Sequence, residues 1–128
     1  MRQDTKIIVA ISSNHDSQKH AERARMLLDG AFGGMRFSPM IWTTPIGIQS
    51  DRFLNGLAVG ISPLSLDATV SCLKNMEQQC DDDKTLREQN IINMDLDLLL
   101  FGGQRLHQAD WERDYVKRLL ACLDETGL

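Results

Sequence analysis

Long apolar runs are absent from this sequence, and that absence limits where the protein can reside. The longest apolar run near the N-terminus covers only residues 7–11. A membrane-spanning helix needs about 20 apolar residues, and the core of a secretion signal needs about 7–15. We therefore expect no membrane association and a cytoplasmic location.

Cysteine and histidine are scarce, and neither shows the spacing of a metal site. The three cysteines, Cys72, Cys80 and Cys122, are odd in number and have no close metal-ligand spacing. Free cysteines of this kind usually fill small buried positions in the core. The histidines His15, His20 and His107 are scattered, so we expect capping or solvated imidazoles rather than a zinc site or the base of a nucleophile.

A surplus of basic residues is also missing. The chain carries 14 Lys and Arg against 18 Asp and Glu, for a net charge of −4. This balance predicts no nucleic-acid partner, although a phosphate-bearing ligand stays possible because local charge decides its binding. No phosphate-binding glycine-rich loop is present, and no repeat or low-complexity segment divides the 128 residues. We expect one domain over residues 1–128, and the sequence does not specify an oligomeric state.

Apolar periodicity predicts alternating strands and helices. Strands are predicted at residues 6–12, 35–42, 53–61 and 94–101, and helices at about 14–29, 63–80 and from Asp110 onward. Ser13 or Asn14 should cap the first helix, Pro63 and Ser65 should open the second, and Asp110 should cap the last. Pro39 cannot donate to a ladder, so its strand should lie at an edge or carry a bulge. Residues 81–93 are polar and form a predicted connection. The resulting β-α-β-β-α-β-α order predicts an α+β, ferredoxin-like fold with a single sheet and its helices on one face.

Asp95 and Asp97 are the most informative residues for chemistry. Side chains at i and i+2 of a strand share a face, with Cα atoms about 6.6 Å apart. Alternation places Leu99 and Phe101 on that face as well, and Met94, Leu96, Leu98 and Leu100 on an apolar opposite face. One or two Mg²⁺ ions would satisfy both carboxylates and bridge the phosphates of a nucleotide. The alternative from these residues alone is a pair of solvated acids on a half-covered sheet.

Three longer segments carry motifs that occur together in one enzyme family. They read IIVAISSN at 7–14, WTTPIGIQSDRFLN at 42–55 and MDLDLLLFG at 94–102. In this order they resemble the opening Gly-Ser-Asn strand, the Thr-Pro-x-Gly loop and the Leu-Asp-Leu-Asp strand of the 6-hydroxymethyl-7,8-dihydropterin pyrophosphokinase family, with Ser12 replacing the glycine. Glu77 and the pair Arg113 and Tyr115 also fit that family's pattern.

This resemblance implies a transferase of folate biosynthesis that moves the β,γ-pyrophosphate of ATP to the hydroxyl group of a pterin. By position, it implies that Asp95 and Asp97 are catalytic and bind two Mg²⁺ ions. It assigns the pterin to Phe53 and Tyr115, which would stack on the ring, to Asn55, which would hydrogen-bond its edge, and to Thr43 and Ile46. It assigns the nucleotide to Glu77, Lys84, Arg87 and Arg113.

The segment before the Asp-Leu-Asp strand departs from the family pattern. Residues 80–93 read CDDDKTLREQNIIN, where the family carries an arginine-rich run. Acidic residues 81–83 replace basic ones, and Ile92 stands where an arginine would meet the phosphates. Lost cations commonly cost a phosphoryl-transfer site several powers of ten in rate. Acids in their place should also repel the nucleotide.

Three hypotheses follow from this mixture of matches and departures. The first is a weakened or altered pterin pyrophosphokinase. The second is a non-catalytic ligand-binding or interaction module on the same scaffold. The third is an unrelated ferredoxin-like domain, which would leave Asp95 and Asp97 far from Phe53 and Asn55.

Overall fold

The described part of the chain, residues 4–125 of a computed structural model, alternates between strands and helices. The strands are β1 (Thr5–Ser13), β2 (Gly33–Phe37), β3 (Ile41–Thr43), β4 (Phe53–Ser62), β5 (Asp95–Phe101) and β6 (Gln104–Arg105). The helices are α1 (Ser17–Ala31), α2 (Leu66–Gln79), α3 (Lys84–Glu88) and α4 (Asp114–Cys122), with a 3₁₀ turn at Gln108–Glu112. None of the helices in this range is long and apolar enough to cross a membrane.

The sheet is antiparallel and is built around β1. β1 pairs with β4 on one side and with β5 on the other. β2 and β3 both pair with β4, and β6 pairs with β5. The order β2-β4-β1-β5, with α1 and α2 as the crossing helices, is the split βαβ arrangement. The predicted α+β, ferredoxin-like fold is confirmed.

Two cores lie on opposite faces of this sheet. Side chains at alternate positions of β1, such as Ile7 and Val9, pack with α1 and α2, whereas Ile8 packs with α4. The helices α1 and α2 therefore share a face, as expected, whereas α4 lies on the opposite face, so the prediction that all helices cover one face is wrong for α4. The sheet surface formed by residues such as Ile8, Leu57 and Leu99 is itself apolar. The apolar stripe of α4 covers it and removes both surfaces from water.

An irregularity in β5 changes the faces of its last residues. Ile8 pairs with Leu100 but Val9 pairs with Leu98, so Leu99 is an extra residue, as in a β-bulge. Leu100 consequently joins the core under α4 and Phe101 packs on the opposite face. Strict alternation predicts the reverse for these two residues and is wrong there.

Side-chain hydrogen bonds explain where the helices begin. Ser65 caps α2 as predicted, since its side chain accepts a bond from the Ala68 amide at 3.2 Å. Ser13 and Asn14 do not start α1, because Ser13 Oγ donates to the His15 carbonyl (3.1 Å) and Asn14 Nδ2 to the Asn90 carbonyl (2.8 Å). The first helix begins instead at Ser17.

Three further expectations meet the structure differently. Pro39 divides the predicted strand 35–42 into β2 and β3, which both border β4 at the sheet edge. Asp110 does not cap α4, because it lies in the 3₁₀ turn and its carboxylate accepts from Arg113 Nε at 2.9 Å. Among the cysteines, Cys80 is buried as expected, Cys72 is partly buried and Cys122 is exposed.

Candidate functional site

A cleft of about 310 Å³ opens on the face of the sheet that α4 covers. Both predicted catalytic acids, Asp95 and Asp97, line it. All of the predicted pterin-binding residues line it as well: Thr43, Ile46, Phe53, Asn55 and Tyr115. Strands β3, β4 and β5, the loop after β3 and the helix α4 thus bring together residues that are far apart in the sequence.

Strand pairing places three polar residues side by side in the cleft. Ser12 of β1 lies opposite Asn55 of β4 and opposite Asp95 of β5. Ser12 Oγ donates to Asn55 Oδ1 (2.8 Å), while Asn55 Nδ2 donates to Thr43 Oγ1 (2.6 Å) and to the Phe53 carbonyl (3.2 Å). Asn55 is only 3% exposed. Its amide is therefore held in one orientation, which suits the recognition of one edge of a ligand.

The electrostatics of Asp95 and Asp97 favour a cation. Burial, followed by the negative charge of Asp95, a hydrogen bond with Asp95 and the charges of Asp110 and Glu77, raises the pKa of Asp97 to about 7. The pair therefore resists carrying two negative charges near neutral pH. Carboxylate oxygens are the ligands that Mg²⁺ prefers, and a divalent cation would relieve this repulsion. The donor set fits a magnesium ion.

Two aromatic side chains supply the apolar part of the cleft. Phe53 begins β4 and Tyr115 lies in the first turn of α4, and both are partly buried. Burial is the main cause of the raised pKa of Tyr115, so its phenol stays neutral at physiological pH. Ile46, in the loop after β3, is 67% exposed and is therefore available to pack on a bound ligand.

The residues predicted to bind the nucleotide lie in different places. Arg113 lines the cleft. Lys84 is exposed at the start of α3 and does not line it. Glu77 is buried beside β5, where its Oε2 accepts a bond from the Leu96 amide at 2.8 Å. The fold thus brings Arg113, but neither Lys84 nor Glu77, into the cleft.

Arg87 approaches the site through Asp95. Its Nη2 lies 3.3 Å from Asp95 Oδ1 and donates to the Met94 carbonyl at 3.0 Å. Its Nε donates to both carboxylate oxygens of Asp82, at 2.8 and 3.1 Å. The acidic run at 81–83 therefore does more than repel a nucleotide. Its member Asp82 orients the Arg87 guanidinium toward the Asp95 carboxylate.

Sequence reasoning gave no ligand-binding role to three residues that the fold brings to the site. In the sequence, Ser12 is notable only because it replaces the family's glycine. His107 and Asp110 offer ligand atoms that lie within 4.8 Å of one from Asp97. Their positions depend on the turn after β5, where the Leu106 amide donates to the Leu99 carbonyl at 2.9 Å. Local spacing carries no signal for such a contact.

A second concave surface lies away from these residues. It is an open groove of about 820 Å³ between α1 and the strands β2 and β3, with Met26, Phe37 and Trp42 among its lining residues. None of the predicted catalytic or binding residues contributes to it. Although this groove is larger, we place the candidate site in the smaller cleft, because that cleft contains the two acids, the two aromatic rings and the hydrogen-bonded Asn55 amide.

Comparison with known proteins identifies the family. The sequence matches the family model of 7,8-dihydro-6-hydroxymethylpterin-pyrophosphokinase over residues 8–125, nearly the whole chain. A search of curated proteins found no significant match. The matched region contains every residue of the cleft, and the family uses ATP and Mg²⁺ and acts on a pterin. The chain therefore belongs to the 7,8-dihydro-6-hydroxymethylpterin-pyrophosphokinase family.

Proposed function

We propose that this protein transfers the pyrophosphoryl group of ATP to the hydroxymethyl group of a reduced pterin, at a rate lowered by its loss of arginines. One observation carries the proposal: Phe53, Asn55 and Tyr115 face the same cleft as Asp95 and Asp97. A cleft of about 310 Å³ is at the small end of the range for small-molecule sites. The cytoplasmic location, the single domain and the absence of a nucleic-acid partner stay predictions.

In this proposal, the apolar and polar sides of the cleft bind different parts of the pterin. Phe53 and Tyr115 stack on the two faces of the flat ring, an arrangement that suits aromatic pairs. Asn55, already oriented by Ser12 and Thr43, hydrogen-bonds the amide-like edge. Pre-orientation lowers the entropy cost of binding and directs the hydroxymethyl group toward the two acids.

The acids and the remaining cations position the nucleotide. Asp95 and Asp97 would hold two Mg²⁺ ions, which supply charge neutralisation for the phosphates when bound. The hydroxymethyl oxygen forms a bond to the β-phosphorus, the bond from that phosphorus to the α,β-bridging oxygen breaks, AMP leaves and the hydroxyl proton passes to solvent. The chain's own contribution is alignment of the two substrates, with Arg113 placed to meet a phosphate.

A lowered rate is proposed because positive charge is sparse at the cleft. Ile92, which lines it, offers no charge where the family has an arginine. Arg113 and Arg87 are each already bonded to a carboxylate, Asp110 and Asp82 respectively. Loss of a single arginine that contacts the transferred group costs about 10³–10⁵ in rate in other phosphoryl-transfer enzymes.

A non-catalytic binding module is the second candidate function. Ile92 in the cleft favours it, since an apolar side chain at that position binds a small ligand without stabilising transferred phosphate. Such a protein would keep the pterin-binding half of the site and lack Mg²⁺-dependent affinity for a nucleotide.

The first experiment is isothermal titration with a non-hydrolysable ATP analogue, in the presence and absence of Mg²⁺. We expect saturable binding that requires Mg²⁺ and that Asp97→Ala weakens by at least about tenfold, or 1.4 kcal/mol. Asp29→Ala, an exposed aspartate on α1, serves as the matched control and should bind like the wild type. Formation of AMP from ATP and 6-hydroxymethyl-7,8-dihydropterin then tests the reaction itself.

The two candidate functions give different results in this experiment. Absence of nucleotide binding by the wild type, with or without Mg²⁺, contradicts the transferase and favours the binding module. Binding that Asp97→Ala leaves unchanged contradicts the placement of the metal at β5.

A further inference from the structure

A mixed cluster of nitrogen and oxygen ligands lies beside the pair of acids. Asp97, His107 and Asp110 each offer one donor atom, and these atoms all lie within 4.8 Å of one another. Protein ligands hold a first-row divalent ion at about 2.0–2.2 Å, so donors around one ion lie about 3–4 Å apart. The separations of at most 4.8 Å exceed that spacing by no more than about 1–2 Å.

The chain between β6 and α4 is fixed by bonds that do not involve these donor atoms. The amide of Asp110 donates to the carbonyl of His107 at 2.9 Å. The indole of Trp111, which is 4% exposed, donates to the Leu106 carbonyl at 2.9 Å. The Leu106 amide in turn bonds to the Leu99 carbonyl of β5 at 2.9 Å. The backbone therefore holds His107 and Asp110 near β5 without using their side chains.

The side chains differ in how they are engaged. Within residues 4–125, the imidazole of His107 makes no hydrogen bond or ion pair, and it is exposed. The Asp110 carboxylate accepts a bond from Arg113 Nε at 2.9 Å. Outer groups that orient a ligating carboxylate in this way are typical of metal sites in proteins.

We propose that Asp97, His107 and Asp110 form a site for a divalent first-row transition ion, with Zn²⁺ or Co²⁺ preferred over Mg²⁺. An imidazole nitrogen suits these ions, whereas Mg²⁺ prefers a shell of oxygen ligands in octahedral geometry. The site shares Asp97 with the Asp95–Asp97 pair. It goes beyond the transferase proposal and does not depend on it, because three side chains of this protein hold the ion without a nucleotide.

The test is a titration of the full chain with Co²⁺ in the absence of nucleotide, followed by visible absorption. The experiment uses a Cys122→Ser background, because the exposed Cys122 thiol would also bind Co²⁺. We expect saturation at one Co²⁺ per chain. Zn²⁺ should displace the bound Co²⁺, and about a 100-fold excess of Mg²⁺ should not.

Substitutions that keep the backbone intact assign the ligands. His107 has a left-handed backbone (φ 52°), which Asn tolerates, so His107→Asn removes the imidazole without new strain. His107→Asn and Asp110→Asn should each weaken Co²⁺ binding by at least about tenfold. His15→Ala, which removes another exposed imidazole, should leave the affinity and the spectrum unchanged.

Two results would overturn this assignment. The first is Co²⁺ affinity and a Co²⁺ spectrum that are unchanged in His107→Asn and Asp110→Asn. The second is binding that survives both substitutions but is lost in Asp95→Asn, since the ion would then lie at the pair of acids. Neither result bears on nucleotide binding, so failure of this site and failure of the transferase are distinguishable.

Discussion

The guanidinium of Arg87 lies near three carboxylates, those of Asp82, Asp95 and Glu77, at 2.8, 3.3 and 3.9 Å. The contact to Asp95 places a positive charge beside one of the two acids that would hold a metal. A metal ion bound by Asp95 must therefore either approach the positively charged Arg87 guanidinium or displace it. Arg87 is thus a competitor for the acid pair when no phosphate is present.

Replacing Arg87 should strengthen metal binding by the free protein. We expect Arg87→Ala to raise the affinity for Mn²⁺ or Mg²⁺, without nucleotide, by about 3- to 10-fold. The gain is modest because the Arg87 side chain is 36% exposed and solvent screens its charge. Calorimetric titration with each ion measures the change. Arg25→Ala on α1, which removes a guanidinium that stacks on Phe37, is the control. Equal affinities for the wild type and Arg87→Ala would contradict the competition.

At the scale of elements, the segment that follows α4 is tied to strands β1 and β2. Glu125, 9% exposed, pairs with Lys6 of β1 at 2.6 Å and with Arg36 of β2 at 2.8 Å. Arg36 also donates to the carbonyl of Leu123 at 3.0 Å. Because α4 carries Tyr115 at its other end, this anchor helps to hold one wall of the cleft.

Removal of this anchor should destabilise the fold. Glu125→Ala should lower the free energy of unfolding by about 1–3 kcal/mol, because two cations lose a buried partner. Glu112→Ala removes an exposed pair with Lys117, at 3.4 Å, and should change stability by less than about 0.5 kcal/mol. Urea unfolding followed by circular dichroism compares the two. If Glu125→Ala and Glu112→Ala lower the free energy of unfolding equally, the burial of Glu125 does not strengthen its ion pairs with Lys6 and Arg36.

Elements with strong local signals could be predicted from the sequence, and those set by their neighbours could not. The cap of α2 at Ser65 and the edge position of the segment that contains Pro39 depend on one residue and its immediate chain. The bulge at Leu99 depends on pairing with β1, and the face that α4 covers depends on an apolar sheet surface assembled from three strands. The spacing of residues within a single segment predicts neither the bulge nor the face of the sheet that α4 covers.

At the scale of the whole molecule, the residues of the cleft also divide into those that a local sequence pattern predicts and those that only the rest of the fold brings there. Asp95 and Asp97 follow from the two-residue period of a strand, because both precede the bulge. The grouping of Phe53, Asn55 and Tyr115 with them came from the family resemblance. His107 and Asp110 reach Asp97 only because the chain turns back after β5, which no local pattern records.

The global stability of the protein should also respond to pH through a buried acid. Burial, opposed by the Leu96 hydrogen bond and increased by the charge of Asp95, raises the pKa of Glu77 from 4.5 to about 7. Arg87 and Lys74 lower it by smaller amounts. The folded state therefore holds a proton that the unfolded chain releases between pH 4.5 and 7. The contribution of Glu77 to stability is complete below pH 4.5 and is lost as pH rises to about 7.

Glu77→Gln isolates this contribution, because the amide oxygen can still accept the bond from the Leu96 amide. At pH 8 we expect the variant to be more stable than the wild type by about 1–3 kcal/mol, whereas at pH 4 the two should be nearly equal. Denaturant unfolding across this pH range measures the difference, with the exposed Glu88→Gln as the control. A difference between Glu77→Gln and the wild type that does not grow with pH would mean that Glu77 is charged in the folded protein. Arg87, 3.9 Å from Glu77 Oε2, would then be neutralising Glu77 as well as Asp82.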